Sequence, residues 1–120
     1  MDNYYNSGKL DLGLEKSKPH VMVKITGYLP DAIATQTIIK KSTGKITVMA
    51  FDAGKGLAEA TSPFDTFVQV IEGKVEIVID KVPQSVNTGE CIVIPAHSSN
   101  FIKSPGRFKI VMTTIKSGYE

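Results

Sequence analysis

Two stretches bounded by small turn residues carry most of the structural information in this chain: GKGLAEATSPFDTFVQVIEG at residues 54–73 and GECIVIPAHSSN at residues 89–100. Glycine reaches backbone conformations that other residues rarely adopt, so the glycines at 54, 73 and 89 predict tight turns. Valine, isoleucine, threonine and phenylalanine recur between them, and these residues are enriched in strands. The two stretches therefore predict turn-bounded strands within one β-structure.

Segments with the composition of strands follow one another through the rest of the chain. Predicted strands lie at residues 33–40, 45–51, 67–71, 75–79, 84–86, 91–94 and 107–115. We expect hairpins around residues 41–44 and around residues 72–74. No long window shows the apolar face of a helix. Short strands separated by turns about every 8–12 residues indicate an all-β sandwich or barrel.

Length, composition and charge exclude several classes of function. A chain of 120 residues with 42% hydrophobic content suits a single domain spanning residues 1–120. Its 14 basic and 12 acidic residues are interspersed, so we expect no nucleic-acid partner. No apolar stretch approaches the roughly 20 residues of a membrane helix. Because residues 1–18 also lack the pattern of a secretion signal, we expect a cytoplasmic protein without a membrane partner.

Two local features lie outside the regular strand pattern. Leu10, Leu12 and Leu14 alternate with small or polar residues inside an otherwise polar segment, which is the period of a half-buried strand. We predict that residues 1–18 form an arm that lies on the domain or crosses to a partner subunit. The single cysteine, Cys91, has no activating neighbour in the sequence and is expected to be a buried thiol.

The glycine and proline framework resembles that of the cupins, a family of small β-barrels. The first cupin motif matches residues 54–73, and the second matches residues 89–104, with Pro95 at the proline position and His97 at a glycine position. The phrases VIEGKVEI at residues 70–77 and VIPA at residues 93–96 resemble a subgroup of small bacterial cupins. Across about residues 33–115, the resemblance implies a double-stranded β-helix, or jelly-roll, with a polar N-terminal arm.

The same resemblance implies that the metal ligands of the family are missing. Cupins hold a divalent metal through three histidines and a glutamate, and the matching positions here are Ala60, Ser62, Thr66 and Asn100. A methyl group offers no donor atom, and neutral hydroxyl and amide groups are poor substitutes for imidazole and carboxylate. We therefore expect neither a metal nor another cofactor.

The leading hypothesis for function is a metal-free cupin without enzymatic activity that binds a small molecule or acts as a scaffold. Ser62, Thr66 and Asn100 would then face a pocket beside Ala60, with Val68 as an apolar wall. The simpler hypothesis for the same residues is a scaffold whose interior is filled by side chains and water and binds no ligand. The resemblance further implies a homodimer, because small cupins often exchange or pack N-terminal strands.

The alternative hypothesis is a metal-dependent enzyme of the dioxygenase or isomerase type with a displaced ligand set. Glu59, Asp65 and His97, together with Asn100, are the candidate ligands. Neighbouring residues of a strand face opposite ways, so this arrangement requires a bulge near Pro63. Metal-independent epimerase chemistry, known on related barrels, requires a histidine–aspartate base and a tyrosine acid. No such arrangement is visible in the sequence.

Overall fold

The computed structural model describes residues 13–116, and within them nine strands form two antiparallel sheets that face each other. Sheet A has the spatial order β1 (Ile33–Lys41), β2 (Gly44–Phe51), β9 (Phe108–Ile115), β4 (Thr66–Glu72) and β7 (Cys91–Ile94). Sheet B has the order β3 (Leu57–Thr61), β8 (Ser99–Lys103), β5 (Lys74–Ile79) and β6 (Val82–Asn87). A 3₁₀ helix spans Met22–Lys24. In the part of the chain just described, no helix is long and apolar enough to cross a membrane.

The all-β prediction is confirmed, and each predicted strand overlaps an observed one. Two strands were missed, β3 and β8, which pair with each other at one side of sheet B. Four of the five β3 residues are exposed, and its sequence, LAEAT, contains alanine and glutamate, which are depleted in strands. Cross-strand pairing rather than local propensity therefore produces these two strands.

The core lies between the inward faces of the two sheets. Alternate residues of β4 and β5 are fully or almost fully buried there, including Val68, Val70 and Ile77. The rings of Phe51 and Phe108 stack with their centroids 4.3 Å apart, and the two residues are paired in register between β2 and β9. Burying each side chain of this size stabilises the fold by about 1.5–3 kcal/mol. The aromatic stack lies where β2 ends and β9 begins.

The predicted hairpin at residues 41–44 is confirmed, whereas the one at residues 72–74 is wrong. β4 belongs to sheet A and β5 to sheet B, so the chain changes sheets between Glu72 and Lys74. Gly73 makes this corner with a φ of +91°, and a Cβ there would lie 2.6 Å from the Arg107 carbonyl oxygen. A glycine between two strands has the same local pattern in a corner as in a hairpin, which explains the error.

Residues 13–32 contact sheet A at its β1 edge and, around Val23 and Tyr28, on its outer face. The Leu14 amide donates to the Ile38 carbonyl of β1 at 3.0 Å, and the Lys109 Nζ donates to the Val23 carbonyl at 2.6 Å. The Tyr28 hydroxyl donates to the Glu72 carboxylate at 2.5 Å. The part of the arm from Gly13 onward thus contacts its own domain, while Leu10 and Leu12 lie outside the described residues.

Two cations hold the Tyr28 ring in place. The Arg107 guanidinium and the Lys109 ammonium each lie 4.9 Å from the ring centroid, a distance at which a cation is attracted to an aromatic face. Burial raises the pKa of the Tyr28 phenol above its ordinary value, and the Glu72 carboxylate adds to the rise. Tyr28 therefore stays protonated and keeps donating to Glu72.

The expectation of a buried thiol is wrong, because Cys91 is exposed. Among the strands of residues 13–116, β7 pairs with β4 alone and so forms an edge of sheet A. Ile92 and Ile94 of β7 pack toward the core, whereas Cys91 and Val93 face outward. The apolar run in the sequence did not distinguish an edge strand from a central one.

We predict that Gly73→Ala destabilises the protein by about 2 kcal/mol or more, because alanine adds both left-handed backbone strain and a steric clash. Gly89→Ala is the matched control, since Gly89 has a φ of +89° but open space around its Cβ. It should cost about 1 kcal/mol from backbone strain alone. Urea unfolding followed by circular dichroism measures both losses. Equal losses would contradict the close approach of Gly73 to Arg107.

Asp52, next to Phe51 of the aromatic stack, joins three segments of the chain. Its carboxylate accepts hydrogen bonds from the Asp31 amide at 2.6 Å and from the Arg107 Nε at 2.8 Å. The Asp31 amide, followed by the Arg107 side chain and the Ala53 amide, lowers the pKa of the Asp52 carboxyl from 3.8 to about 2. The charged form is thus favoured by the folded state.

We predict a carboxyl pKa near 2 for Asp52 in an NMR titration of the folded protein. Because this pKa lies below the ordinary value of 3.8, the contribution of Asp52 to stability is present above about pH 3.8 and is lost as the pH falls through about 2. Arg107→Gln should raise the pKa only in part, since the Asp31 amide still donates. An unshifted pKa in the wild-type protein would contradict these contacts.

Candidate functional site

A cavity of about 310 Å³ opens between the two sheets, toward the end of β9 that lies away from the Phe51–Phe108 stack. Its lining combines polar and apolar side chains from both sheets. The polar ones are Thr61, Ser62, Thr66, Asn100 and Thr114, and the larger apolar ones are Leu57, Phe64, Ile94, Pro95 and Met112. Two alanines, Ala58 and Ala60, complete the wall. None of these side chains is ionisable.

Strand register brings one wall of the cavity together from sheet A. Thr66 of β4 lies between Thr114 of β9 and Ile94 of β7, and the three residues are direct cross-strand neighbours. Along β4 the same inward face continues from Thr66 to Val68, which is 0% exposed and packs in the core. The expectation that Val68 forms a wall of the pocket is therefore corrected. Val68 is the next inward-facing residue after Thr66 on β4, and it lies in the core below the cavity.

The opposite wall comes from sheet B and the turn that follows β3. Ala60 is paired with Asn100 of β8, and a register shift separates this pair from Leu57. This bulge lets both Leu57 and Ala60 reach the cavity. The Ser62 Oγ accepts the Phe64 amide at 3.1 Å, which fixes the turn into β4. The structure thus places Ala60, Ser62, Thr66 and Asn100 around one cavity.

Several polar groups of the cavity are available to water or a ligand. Within residues 13–116, the hydroxyls of Thr66 and Thr114 make no hydrogen bond to the protein. The Asn100 amide nitrogen donates only at long distance, to the Ala60 carbonyl at 3.4 Å and the Ser98 carbonyl at 3.5 Å. The Asn100 Oδ1 accepts no hydrogen bond from the same part of the protein. The cavity therefore offers both donors and acceptors.

The residues at the four cupin positions do not fit a divalent transition metal. They supply a methyl group, two hydroxyls and an amide, with no imidazole and no carboxylate. Ions of this class favour imidazole, thiolate and carboxylate ligands. The donor chemistry of the cavity is that of a hydrogen-bonding site.

The alternative metal ligands, Glu59, Asp65 and His97, do not converge on one point either. The Glu59 carboxylate accepts the Ser99 hydroxyl at 2.6 Å, and the Asp65 carboxylate accepts the Ala96 amide at 2.8 Å. His97 is exposed in a turn with a φ of +69°. Across residues 13–116, no three histidine, cysteine, aspartate or glutamate side chains converge as a metal site would require. The bulge of β3 lies between Leu57 and Ala60 and leaves Glu59 on the outer side.

Sequence reasoning missed several residues of the cavity, among them Thr114, Phe64 and Met112. A signal for Thr114 was present in the predicted last strand. Phe108 and Ile110 face the core, so the period of two also turns Met112 and Thr114 inward. The sequence did not show which of Thr113 and Thr114 faced inward, because both are β-branched and polar.

Comparison with solved structures identifies the fold. No protein-family model and no curated protein matches the sequence. Among solved structures, a conserved protein of unknown function from Streptococcus pyogenes matches with a TM-score of 0.84 and 24% identity, over 94% of this chain and 99% of that chain. A cupin superfamily protein from Desulfitobacterium hafniense has a TM-score of 0.80 and 19% identity, over 86% and 94% of the two chains.

An RmlC-like cupin protein from Desulfovibrio desulfuricans also matches, with a TM-score of 0.71 and 19% identity over 82% of this chain and 96% of that chain. Identities this low establish the fold and leave the function to be argued from the site itself. The neighbours and the two facing antiparallel sheets confirm the resemblance inferred from the glycine and proline framework. The chain is a small, all-β protein with the cupin fold.

Proposed function

We propose that this protein binds a small, uncharged molecule at the mouth of its barrel, without a metal ion and without catalysing a reaction. The observation that carries the proposal is the lining of the cavity. Within residues 13–116, the Thr66 and Thr114 hydroxyls and the Asn100 Oδ1 make no hydrogen bond to the protein, and they stand among apolar side chains in a lining without ionisable groups. Small-molecule sites are commonly of this kind, mostly apolar with a few placed polar groups.

The size and chemistry of the cavity define the class of ligand. A volume of about 310 Å³ is near the lower end for ligand pockets and equals roughly ten water molecules. Leu57, Phe64 and Met112 can contact a hydrocarbon skeleton, while the Thr66 and Thr114 hydroxyls donate and accept hydrogen bonds. A compact, neutral molecule bearing hydroxyl or amide groups fits these walls.

A charged ligand fits less well for an energetic reason. Moving an ion into a partly apolar cavity is costly unless a counter-charge or several hydrogen bonds compensate it. Glu59 and Asp65, the acidic residues nearest in sequence to the lining, are bonded to Ser99 and Ala96 outside the cavity. No side chain of the lining supplies a counter-charge.

The absence of ionisable side chains from the cavity lining supports a binding role over a catalytic one. General acid–base catalysis requires an ionisable group within hydrogen-bond reach of the reacting atoms. The hydroxyl and amide groups around the cavity are neutral near pH 7 and are weak general acids and bases. They do orient a bound molecule through hydrogen bonds.

We predict that a thermal-shift screen of neutral hydroxyl- and amide-bearing compounds yields ligands, and that charged analogues of these compounds bind less well. A ligand at 100 times its dissociation constant stabilises the folded state by about 2.7 kcal/mol. For such a ligand, Thr114→Val should weaken binding about 2- to 12-fold, since it removes a hydrogen bond worth about 0.5–1.5 kcal/mol. Isothermal titration calorimetry measures the change.

Thr113→Val is the matched control, because it makes the same substitution on the opposite face of β9 and should leave the affinity unchanged. Equal effects of the two variants would show that the ligand binds elsewhere, and a screen that yields only anions would contradict the proposed ligand class. Elemental analysis of protein purified without chelator tests the metal-dependent alternative. A stoichiometric transition metal that is lost in Asn100→Ala would contradict the proposal.

A further inference from the structure

A second cavity, of about 780 Å³, lies on the outer face of sheet B. Its lining comes from β5, β6, β8 and the turn that joins β8 to β9, and it shares no residue with the cavity at the barrel mouth. The side chains that bear on its chemistry are those of Lys74, Glu76, Ser85, Lys103 and Arg107. We call this cavity the sheet B groove.

Strand register forms the floor of the sheet B groove. Glu76 of β5 is paired with Lys103 of β8 on one side and with Ser85 of β6 on the other. Because Val75 and Ile77, the neighbours of Glu76, pack in the core, Glu76 and its cross-strand partners face outward. Lys74 follows the turn from sheet A and completes the polar floor at its β5 end.

The turn at residues 104–107 forms a wall whose position is fixed by hydrogen bonds. The Ser104 hydroxyl donates to the Lys74 carbonyl at 2.7 Å and accepts the Gly106 amide at 3.3 Å. The Arg107 Nε donates to the Asp52 carboxylate at 2.8 Å. A site whose groups are already held in place loses less conformational freedom when a ligand binds.

Positive charge predominates in the sheet B groove. Three cationic side chains and one carboxylate line it, which leaves a surplus of two positive charges. Glu76 lies 3.2 Å from the Lys103 ammonium, and Asp52, outside the lining, offsets part of the Arg107 charge. Within residues 13–116, the Lys74 ammonium makes neither an ion pair nor a hydrogen bond. A ligand with negative charge would therefore meet an unpaired cation.

We propose that the sheet B groove binds a small molecule that carries a phosphate group, which Lys74, Lys103 and Arg107 contact. A phosphate monoester has a charge of about −1.5 to −2 at pH 7 and three acceptor oxygens, which suits the surplus of positive charge. Arginine and lysine are the side chains that commonly bind phosphate. This site is independent of the function proposed for the barrel mouth.

The size of the groove indicates a phosphorylated molecule rather than a free phosphate ion. Its volume of about 780 Å³ lies within the range of about 300–1,000 Å³ for small-molecule sites. The ring of Pro105 supplies an apolar surface for the rest of such a molecule. A long polyanion such as nucleic acid fits less well, because Glu76 and Asp52 would repel its further phosphates.

NMR titration of the ¹⁵N-labelled full chain with phenyl phosphate at low ionic strength tests the proposal. The backbone amides of Lys74, Glu76, Lys103 and Gly106 should shift and reach saturation. Phenol, which lacks the phosphate group, should leave these amides unchanged. Phthalate, an aromatic dianion without phosphate, should bind less tightly at them, and so should inorganic phosphate, which lacks the organic group.

Two substitutions should change the affinity for phenyl phosphate in opposite directions. Lys74→Gln should weaken binding about 5-fold, the upper end for an ion pair exposed to solvent. Glu76→Gln should tighten it about 2- to 5-fold, because it removes a competing anion and frees Lys103. Lys45→Gln on β2 of sheet A and Glu15→Gln in the N-terminal segment are the matched controls, since they make the same changes of net charge elsewhere.

Shifts confined to residues outside the groove would overturn the proposal, and so would equal affinities for Lys74→Gln and Lys45→Gln. Phthalate that binds as tightly as phenyl phosphate would show that the groove selects charge alone and refute the assignment to phosphate. Inorganic phosphate that binds as tightly would refute the assignment to a larger molecule. The two controls should match the wild-type protein, and the amide spectra of all four variants show whether they fold.

Discussion

Burial of the inward faces of two sheets against each other is the constraint on which the rest of the structure depends. Phe51 and Phe108 stack at one end of this layer, and Val68, Val70 and Ile77 fill its middle with no exposed surface. Once these residues are inside, the period of two fixes the direction of every other side chain on the same strands. The corner at Gly73 is required by this arrangement, because it carries the chain from one sheet to the other.

The inner and outer faces of the cavity wall in sheet A are set by one register. Where the core ends on β4 and β9, the inward positions hold Thr66 and Thr114, and the outward positions hold Phe67 and Thr113. A slip of one residue on β4 would turn Phe67 into the cavity and Thr66 onto the surface. Such a slip would also turn the core residues Val68 and Val70 outward, which opposes it.

The sequence predicted the fold and several cavity residues because both depend on short-range patterns. Glycine and proline spacing indicated the barrel and placed Ser62, Thr66 and Asn100 at corresponding positions, where the structure finds them around one cavity. Features that depend on tertiary pairing were not predictable. The corner at Gly73 has the local pattern of a hairpin, and the depth of Val68 depends on how far the core extends toward the mouth. The exposure of Cys91 depends on β7 being an edge strand, which the run of apolar residues does not reveal.

The barrel mouth is proposed here as a hydrogen-bonding site for a neutral molecule. A high-resolution crystal structure of protein purified without chelator would show the electron density between Ser62, Thr66 and Asn100. We expect ordered water or a small neutral molecule hydrogen-bonded to these side chains and to Thr114. A metal ion coordinated in the cavity, or a cavity closed by its own side chains, would contradict it.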